Sequence, residues 1–210
     1  MKKLTPQYPF WQLVIKRLAD ILGASFLLLL ALPLFIIAAI GIMISSRGPV
    51  IFKQKRIGLR GKEFMFYKLR SMVSDAEQKR QELIDRNIMT GPAFKIKDDP
   101  RITSFGRFLR QTSMDELPQL WNVIKGDMSL VGPRPPVPDE VLQYNEKQKK
   151  RLDIRPGLTC LWQIRGRNTV TSFNEWVRLD LEYIEQWSLW LDVAIFLKTI
   201  PVVVMRIGAW

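Results

Sequence analysis

The longest apolar stretch of the chain covers residues 21–44, where 24 consecutive residues carry no charged side chain. A helix of about 20 apolar residues is long enough to cross the ~30 Å hydrocarbon core of a bilayer. Pro33 lies near the middle, where it removes one backbone hydrogen bond and predicts a kink or break. A buried helix of a soluble protein would be unusually apolar on all sides. The pattern therefore predicts a membrane-embedded helix that is broken at Pro33.

Basic residues stand on both sides of this stretch. The flank that precedes it has Lys2, Lys3, Lys16 and Arg17, and the flank that follows has Arg47, Lys53, Lys55, Arg56, Arg60 and Lys62. Because segments rich in Lys and Arg stay on the cytoplasmic side, both flanks are expected on one side of the membrane. A re-entrant helix that bends at Pro33 satisfies this condition, whereas a straight span does not. We therefore favour the re-entrant helix, in which the backbone freed by the break needs partners inside the membrane.

Residues 49–72 alternate between apolar and polar positions around a turn that contains Gly58 and Gly61. This alternation predicts a β-hairpin with one apolar and one basic face. The basic face, which includes Lys68 and Arg70, is equally consistent with simple attraction to anionic lipid headgroups.

The helical spacing of Leu117, Leu120, Trp121 and Ile124 predicts a short amphipathic helix that buries these residues. Ser113 or Asp115 is the expected N-terminal cap, Pro118 fits the first turn, and Gly126 fits the C-terminal end. Asp115 and Glu116 would then lie in the first turn, where the helix dipole favours the deprotonated carboxylate.

The remaining pattern is mixed, and it predicts an α+β fold that is mainly helical. It comprises a polar helix over 73–87, apolar residues over 102–109 that lead into the central helix, and a charged solvent-facing helix over 137–153. An apolar strand over 158–164, two further arginines on a loop (Arg165 and Arg167), an amphipathic helix over 176–190 and an apolar interfacial segment over 189–210 follow. We divide the chain into a membrane-associated part (1–48), a cytoplasmic catalytic domain (49–188) and an interfacial C-terminal segment (189–210).

Composition limits the chemistry. The net charge of +12 indicates an anionic partner, which could be nucleic acid, a membrane surface or a phosphorylated substrate. The chain has no histidine and a single cysteine, Cys160, so the commonest general base and any disulfide within the chain are excluded. Carboxylates, arginines and a hard cation such as Mg²⁺ are therefore the expected tools of an enzyme.

The adjacent carboxylates of Asp115 and Glu116 are the strongest catalytic candidates. One could attack a substrate phosphorus while the other holds a metal, and the surrounding arginines suit phosphate oxygens. Taken alone, the pair is more typical of ordinary acidic residues at a helix start, and its surroundings favour the catalytic interpretation. Pro-flanked Arg134, in the rigid segment 132–136, is expected to point in a fixed direction, although polyproline recognition is a competing interpretation of that segment.

Several long motifs, in order, resemble the bacterial sugar transferase family, the monotopic phosphoglycosyl transferases. They cover residues 55–72, 107–123, 126–135 and 155–159, and they include Arg107-Phe-Leu-Arg-Gln-Thr-Ser-Met-Asp-Glu-Leu-Pro-Gln-Leu-Trp-Asn-Val. The resemblance implies transfer of a sugar 1-phosphate from a UDP-sugar to undecaprenyl phosphate, with release of UMP, to begin surface glycan assembly on the cytoplasmic face of the bacterial inner membrane. Residues 158–168 look most similar to the galactose and glucose 1-phosphate transferases.

The resemblance also implies the roles of particular residues. Asp115 would be the nucleophile that forms a covalent phosphosugar intermediate, and Glu116 beside it would associate with Mg²⁺, so both are assigned to the metal site. Arg110, Arg134 and Arg155 match arginine positions suited to phosphate, to which we add Lys68 and Arg70. The sequence departs from the family pattern at Leu32, where some small members have Ser before the proline. It also lacks the multispanning region that longer relatives carry, as expected of either a short natural form or an isolated catalytic domain.

Membrane lipids are expected partners, and a second copy of the chain or downstream glycosyltransferases are open alternatives. Nucleic acid is not expected, because the strongest motif is acidic and the sequence has no evident platform of alternating aromatic and basic residues. The rival hypotheses are a membrane-tethered basic module that binds anionic lipid or nucleic acid without catalysis, and a scaffold for other glycan-assembly enzymes. Neither rival requires Asp115.

Overall fold

The computed structural model describes residues 8–166 and 170–208. Lys2, Lys3 and Arg167, which belong to the predicted basic flank and loop, lie outside the described residues. The helices and strands are α1 (Phe10–Ser45), β1 (Ile51–Ile57), β2 (Glu63–Leu69), α2 (Gln78–Glu82), α3 (Ser104–Gln111), α4 (Gln119–Lys125), β3 (Ser129–Val131), α5 (Pro138–Leu142), α6 (Glu146–Lys149), β4 (Gly157–Thr159), α7 (Leu161–Arg165), α8 (Phe173–Gln186) and α9 (Leu189–Val204). The predicted mainly helical α+β class is confirmed.

Helix α1 is 36 residues long and, among the described residues, is the helix long and apolar enough to cross a membrane. It continues through Pro33, so the predicted break is absent; a proline removes only one helical hydrogen bond, and both halves of α1 pack on the same body. The re-entrant path itself stays a prediction. Three alanines, at 24, 31 and 38, form the buried stripe together with Asp20 and Ile42, while most of the large apolar residues on the other faces are exposed.

Both ends of α1 are fixed to the rest of the protein by polar contacts. Near its start, Arg17 donates to the carbonyl oxygens of Val123 at 2.6 Å and Ile124 at 2.7 Å. Just beyond its end, the Ser46 carbonyl accepts from Arg70 at 2.6 Å. The helix therefore lies along the folded body instead of projecting from it.

The predicted β-hairpin is confirmed as an antiparallel pair of β1 and β2, in which Ile51 faces Leu69 and Ile57 faces Glu63. The hairpin is attached to α4 by the buried Asn122 side chain, which donates to the Met65 carbonyl at 2.7 Å and accepts from the Tyr67 amide at 3.2 Å. This attachment brings the C-terminal half of β2 beside the turn that precedes α4.

The other sheet is a short parallel pair of β3 and β4. A Cβ atom at Gly157 would stand 2.0 Å from the Gly132 amide nitrogen, so only glycine permits this close approach. The crossing holds the segment 132–136 against residues 155–159.

Several predicted elements differ from the structure. The helix predicted over 137–153 is divided into α5, α6 and a 3-10 turn, and Arg151 is buried there instead of facing solvent. Arg151 forms an ion pair of 2.6 Å with buried Asp180 of α8 and also donates to the Tyr144 hydroxyl at 2.8 Å. Burial of this guanidinium is tolerated because a carboxylate and a hydroxyl accept its hydrogen bonds.

The strand predicted over 158–164 is also mostly wrong, because only Gly157–Thr159 is extended and α7 follows it. The helix predicted over 73–87 is limited to α2 and a 3-10 turn. The helix predicted over 176–190 ends earlier: α8 ends at Gln186, and Ser188 caps α9 by accepting from the Leu191 amide at 3.1 Å. The apolar character predicted beyond 189 is present on α9, where Trp190, Leu197 and Val204 are exposed.

Candidate active site

The two candidate carboxylates lie on a tight turn between α3 and α4. Ser113 takes a left-handed conformation (φ 57°), after which Met114–Glu116 form one 3-10 turn. Helix α4 begins later, with Pro118 at its N-cap and Gly126 at its left-handed C-cap. Asp115 and Glu116 therefore precede the helix instead of forming its first turn, and the dipole argument for Asp115 loses its basis.

The buried face of α4 also differs from the prediction. Gln119, Leu120, Asn122 and Val123 are buried, whereas Trp121 is 51 % exposed. Asn122 is buried because its amide bonds to the β2 backbone. Apolar spacing could not reveal this polar anchor.

Lys68 at the end of β2 contacts both carboxylates. Its ammonium nitrogen lies 2.9 Å from Glu116 Oε1 and 3.5 Å from Asp115 Oδ2. Asp115 is only 5 % exposed, whereas Glu116 is half-buried. One cation thus holds the two anionic side chains together in a region with little water.

Burial raises the pKa of the Asp115 carboxyl, and the neighbouring charge of Glu116 acts in the same direction. The positive charges of Lys68 and Arg110 act against this shift and lower that pKa. The sequence led us to expect a helix dipole to keep Asp115 ionised; the structure assigns that task to these two cations.

Arg110 approaches from the last turn of α3, where its Nε donates to the Ser71 hydroxyl at 2.9 Å. Burial lowers the pKa of Arg110, and the Asp115 carboxylate opposes that shift. Burial also lowers the pKa of Arg56 to about 10, with a further contribution from the nearby positive charge of Arg134. These guanidiniums stay protonated at neutral pH and are held close to one another.

A cavity of about 290 Å³ opens in front of the carboxylates. Its described lining includes the cations Arg56, Lys68, Lys95, Arg101, Arg110 and Arg134 and the acids Asp99, Asp115 and Glu116. Asp99 is already paired with Arg101 at 2.7 Å. The cavity therefore has an excess of positive charge, and this charge suits a ligand with several phosphate oxygens.

Asp115 has few rivals as a nucleophile in this cavity. Cys160 also lines it, but burial raises the pKa of its thiol well above the ordinary value, and the thiolate is the reactive form. Asp99 accepts hydrogen bonds from Arg101 through both oxygens. Asp115, by contrast, has only the longer contact to Lys68 among its ion pairs in the described part of the chain.

A second, apolar cavity of about 380 Å³ adjoins the first. Leu27, Leu30 and Leu34 of α1 form one side and Phe196, Ile200 and Val203 of α9 form the other. Glu116, Leu158 and Gln163 line both cavities. A molecule with a phosphate head and a long apolar tail could therefore reach the carboxylates from the apolar groove.

The predicted site residues divide into two groups. Lys68, Arg110, Asp115, Glu116 and Arg134 line the polar cavity. Arg70 and Arg155 are not part of its described lining. Arg70 instead donates to the Ser46 carbonyl just beyond α1, and half-buried Arg155 lies in the segment that leads into β4. Pro33 lies within α1.

Several residues of the lining did not stand out in the sequence. Arg56, Lys95 and Arg101 belong to basic stretches that gave no reason to prefer one residue over another. Gln119, Trp162 and Trp176 resemble ordinary helix residues, and no sequence signal distinguished them.

The carboxylate pair fits Mg²⁺ only as a partial site. The described residues contain no group of three or more metal-ligating side chains. Mg²⁺ commonly takes one or two carboxylates and completes its shell with water and substrate phosphates. Asp115 and Glu116 can supply those carboxylates, provided that the substrate supplies the remaining oxygens.

Comparison with known proteins places these motifs in a family. The profile of the bacterial sugar transferase family matches residues 11–206. Similar relatives include the galactosyl transferase CpsE of Streptococcus agalactiae (51 % identity over 96 % of this chain and 45 % of the relative). A second is the undecaprenyl-phosphate galactose phosphotransferase of Salmonella typhimurium, with 44 % identity over 93 % of this chain and 42 % of the relative. A third is the UDP-galactose-lipid carrier transferase of Erwinia amylovora, with 43 % identity over 93 % of this chain and 42 % of the relative. The chain spans less than half the length of each of these three.

Proposed function

This chain belongs to the bacterial sugar transferase family, and from that premise we propose that it transfers a hexose 1-phosphate from a UDP-hexose to undecaprenyl phosphate and releases UMP. This step would initiate the synthesis of a surface glycan such as a capsule, O-antigen or exopolysaccharide. The observation that carries the proposal is the junction of a phosphate-binding cavity and an apolar groove at Glu116, beside Asp115. The names of the three relatives make UDP-galactose the first donor to test.

In the first half of the proposed reaction, an Asp115 carboxylate oxygen attacks the phosphorus that carries the sugar. A bond forms between that oxygen and phosphorus, and the bond from phosphorus to the bridging oxygen breaks, so UMP leaves with the bridging oxygen. The product is a sugar phosphate linked to Asp115 as a mixed anhydride. Lys68 and Arg110 favour the ionised nucleophile, and the arginines of the cavity stabilise the phosphate charge.

In the second half, a phosphate oxygen of undecaprenyl phosphate attacks the same phosphorus. The bond to Asp115 breaks, the carboxylate is restored, and undecaprenyl diphosphate sugar is the product. The apolar groove between α1 and α9 is a suitable place for the isoprenoid tail, because it is lined by leucine, isoleucine, valine and phenylalanine. Bound Mg²⁺, held by Glu116 and Asp115, would neutralise part of the phosphate charge.

The proposed location is the cytoplasmic leaflet of the inner membrane, with α1 embedded and α9 in the interface. Large apolar side chains of α1 are exposed along nearly its whole length, including Leu22, Leu30 and Ile44. Both ends of α1 are held by one body, which supports the placement of its two flanks on the same side of the membrane.

UMP release tests the function directly. The native protein is tested with a panel of UDP-sugars, undecaprenyl phosphate and Mg²⁺. Donor alone should give a single UMP per enzyme, and release beyond this first turnover should require the lipid. Asp115→Asn should reduce release by about a thousandfold or more, because its amide oxygen is a poor nucleophile. Asp75→Asn, which changes an exposed acid paired with Lys79, is the matched control and should retain activity.

Mass spectrometry of the peptide that contains residue 115, after reaction with donor alone, should show one added sugar phosphate. If neither UMP release nor an adduct occurs with any sugar, the proposal is overturned in favour of the non-enzymatic lipid-binding module.

A further inference from the structure

Three neutral hydrogen-bond donors on the wall of the polar cavity have no partner among the described residues. They are Gln119 Nε2, Trp162 Nε1 and Trp176 Nε1. The three residues are only 3 %, 6 % and 7 % exposed. Buried donors in native proteins are rarely left without a partner, so a cluster of them beside one cavity indicates that a ligand supplies the acceptors.

The chemistry of this group, which we call the neutral donor wall, differs from that of the cations around it. Amide and indole N–H groups carry no charge and are weaker partners for phosphate than guanidinium or ammonium groups. They match uncharged oxygens such as hydroxyls. The cavity thus combines a cationic region for phosphate with a neutral region for an uncharged, oxygen-rich group.

The two indoles offer edges more readily than faces to a ligand. Trp162 and Trp176 stack on each other, with ring centroids 4.6 Å apart and an interplanar angle of 19°. Lys95 Nζ lies 5.8 Å from the Trp176 centroid. Since one face of each ring packs on the other ring, and Lys95 lies near Trp176, the N–H groups are the polar contact that the two rings offer to a ligand.

We propose that Gln119, Trp162 and Trp176 bind the hydroxyl groups of the hexose, and so make the enzyme recognise the sugar separately from the nucleotide. The inference rests on the proposed function. Gln119 follows Asp115 by four residues and lines the same cavity. The sugar is attached to the phosphorus that Asp115 attacks, and it stays on the enzyme after UMP leaves, so its hydroxyls must be held near this residue.

Binding of UDP and of UDP-galactose measures the sugar contribution without turnover. Isothermal titration uses the Asp115→Asn protein in nanodiscs, because this variant leaves the donor intact. If the UMP-release panel selects another UDP-sugar, that sugar replaces UDP-galactose. The quantity of interest is the ratio of the two dissociation constants. Gln119→Met, Trp162→Phe and Trp176→Phe each remove one donor and keep an apolar side chain of related shape.

Each variant should reduce the preference for UDP-galactose over UDP by about fivefold, which corresponds to one hydrogen bond, and should leave UDP binding unchanged within about twofold. Trp121→Phe, at an exposed indole on α4, and Gln143→Met, at an exposed amide, are the matched controls and should change neither constant. Thermal melting verifies that each variant is folded, and the three positions give independent tests.

Equal weakening of UDP and UDP-galactose would overturn the inference and assign the wall to the uridine. Unchanged binding of both in folded variants would overturn it as well, since the donors would then be structural. In either case native UMP release would survive. Failure of the proposed function gives a different result. The native protein would then release no UMP, and the Asp115→Asn protein without further changes would bind neither UDP nor UDP-galactose.

Discussion

Asp115 carries a negative charge in a place where a charge is costly. The side chain is almost fully buried, and burial raises the pKa of its carboxyl. Lys68 and Arg110 recover part of the lost hydration energy, but they do not reverse the direction of the shift. In the proposed reaction, a carboxylate nucleophile that is destabilised in this way would be more reactive, and the folded state would bear the cost.

Replacement of this charge should stabilise the protein. We expect Asp115→Asn to raise the melting temperature by about 2–4 °C at neutral pH, the shift that ~1 kcal/mol gives in a domain of this size. Because the folded-state pKa is raised, the ionised carboxylate destabilises the fold above that pKa and has no effect below the unfolded-state value. The gain should therefore disappear on acidification. A calorimetric pH series tests this, and a variant less stable than the native protein at neutral pH would contradict it.

Lys68 should control the acid limb of the activity profile. The largest effect that lowers the pKa of Asp115 is the charge of Lys68. Lys68→Met should raise that pKa further, so that the reaction loses its ionised nucleophile at a higher pH. The measurement is the pH dependence of the UMP burst with donor alone. Lys79→Met, which breaks an exposed pair with Asp75, should leave the limb in place; an unmoved limb in Lys68→Met would count against the contact.

At this scale the sequence was informative about charge and uninformative about neutral residues. Asp115 and Glu116 stood out as an adjacent acidic pair in a chain of net charge +12, and Lys68, Arg110 and Arg134 lay in the same motifs. Gln119 and Trp176 belong to helices in which an amide or an indole is unremarkable. Their significance depends on a missing hydrogen-bond partner, which only the folded arrangement reveals.

Among the elements, α1 depends on close contact with the body beneath it. A Cβ atom at Gly41 would stand 2.3 Å from the ring of Phe105 in α3, so the helix and the ring fit only because glycine has no side chain. Similar contact occurs at Gly23, where Leu130 lies 2.9 Å from an added Cβ. These glycines set the distance between α1 and the catalytic part.

Gly41→Val should lift the C-terminal part of α1 from α3 and destabilise the protein by about 1–3 kcal/mol, the usual effect of overpacking. Chemical denaturation in detergent measures the loss. Phe105→Ala removes the clashing ring. Gly41→Val should therefore cost much less stability in the Phe105→Ala background than in the native protein. Additive losses in the double variant would show that the two residues do not meet.

The success of prediction for each element followed its length and regularity. The long apolar run and the alternating hairpin each contain a repeated pattern, and both elements exist. The hairpin lies close to its expected bounds, whereas α1 begins at Phe10, before the apolar run at residue 21, and continues through Pro33. Helix α7 has only five residues and is buried at its start, so its apolar run looked like a strand. The charged stretch 137–153 was misjudged because Arg151 is buried by a partner, Asp180, that lies 29 positions away.

For the whole molecule, the position of α1 decides the orientation in the membrane. Cysteine introduced at Gln12 or at Lys55, in a Cys160→Ala background, should react with a membrane-impermeant maleimide from the same side of inverted vesicles. Gln12 lies in the first turn of α1 and Lys55 lies beyond its C-terminal end, and both ends of this helix are bound to one body. Labelling of the two sites from opposite sides would establish a straight span and contradict the re-entrant arrangement.

The groove between α1 and α9 has a kinetic consequence. Its walls include Leu30, which is 66 % exposed, and Val204, which is 74 % exposed, so in the proposed orientation the groove meets the lipid phase directly. An acceptor that enters there never leaves the bilayer, and the enzyme finds it by diffusion in two dimensions. The rate should then follow the mole fraction of undecaprenyl phosphate in the membrane. Dilution with inert phospholipid should slow the reaction even when the bulk concentration of undecaprenyl phosphate is held constant.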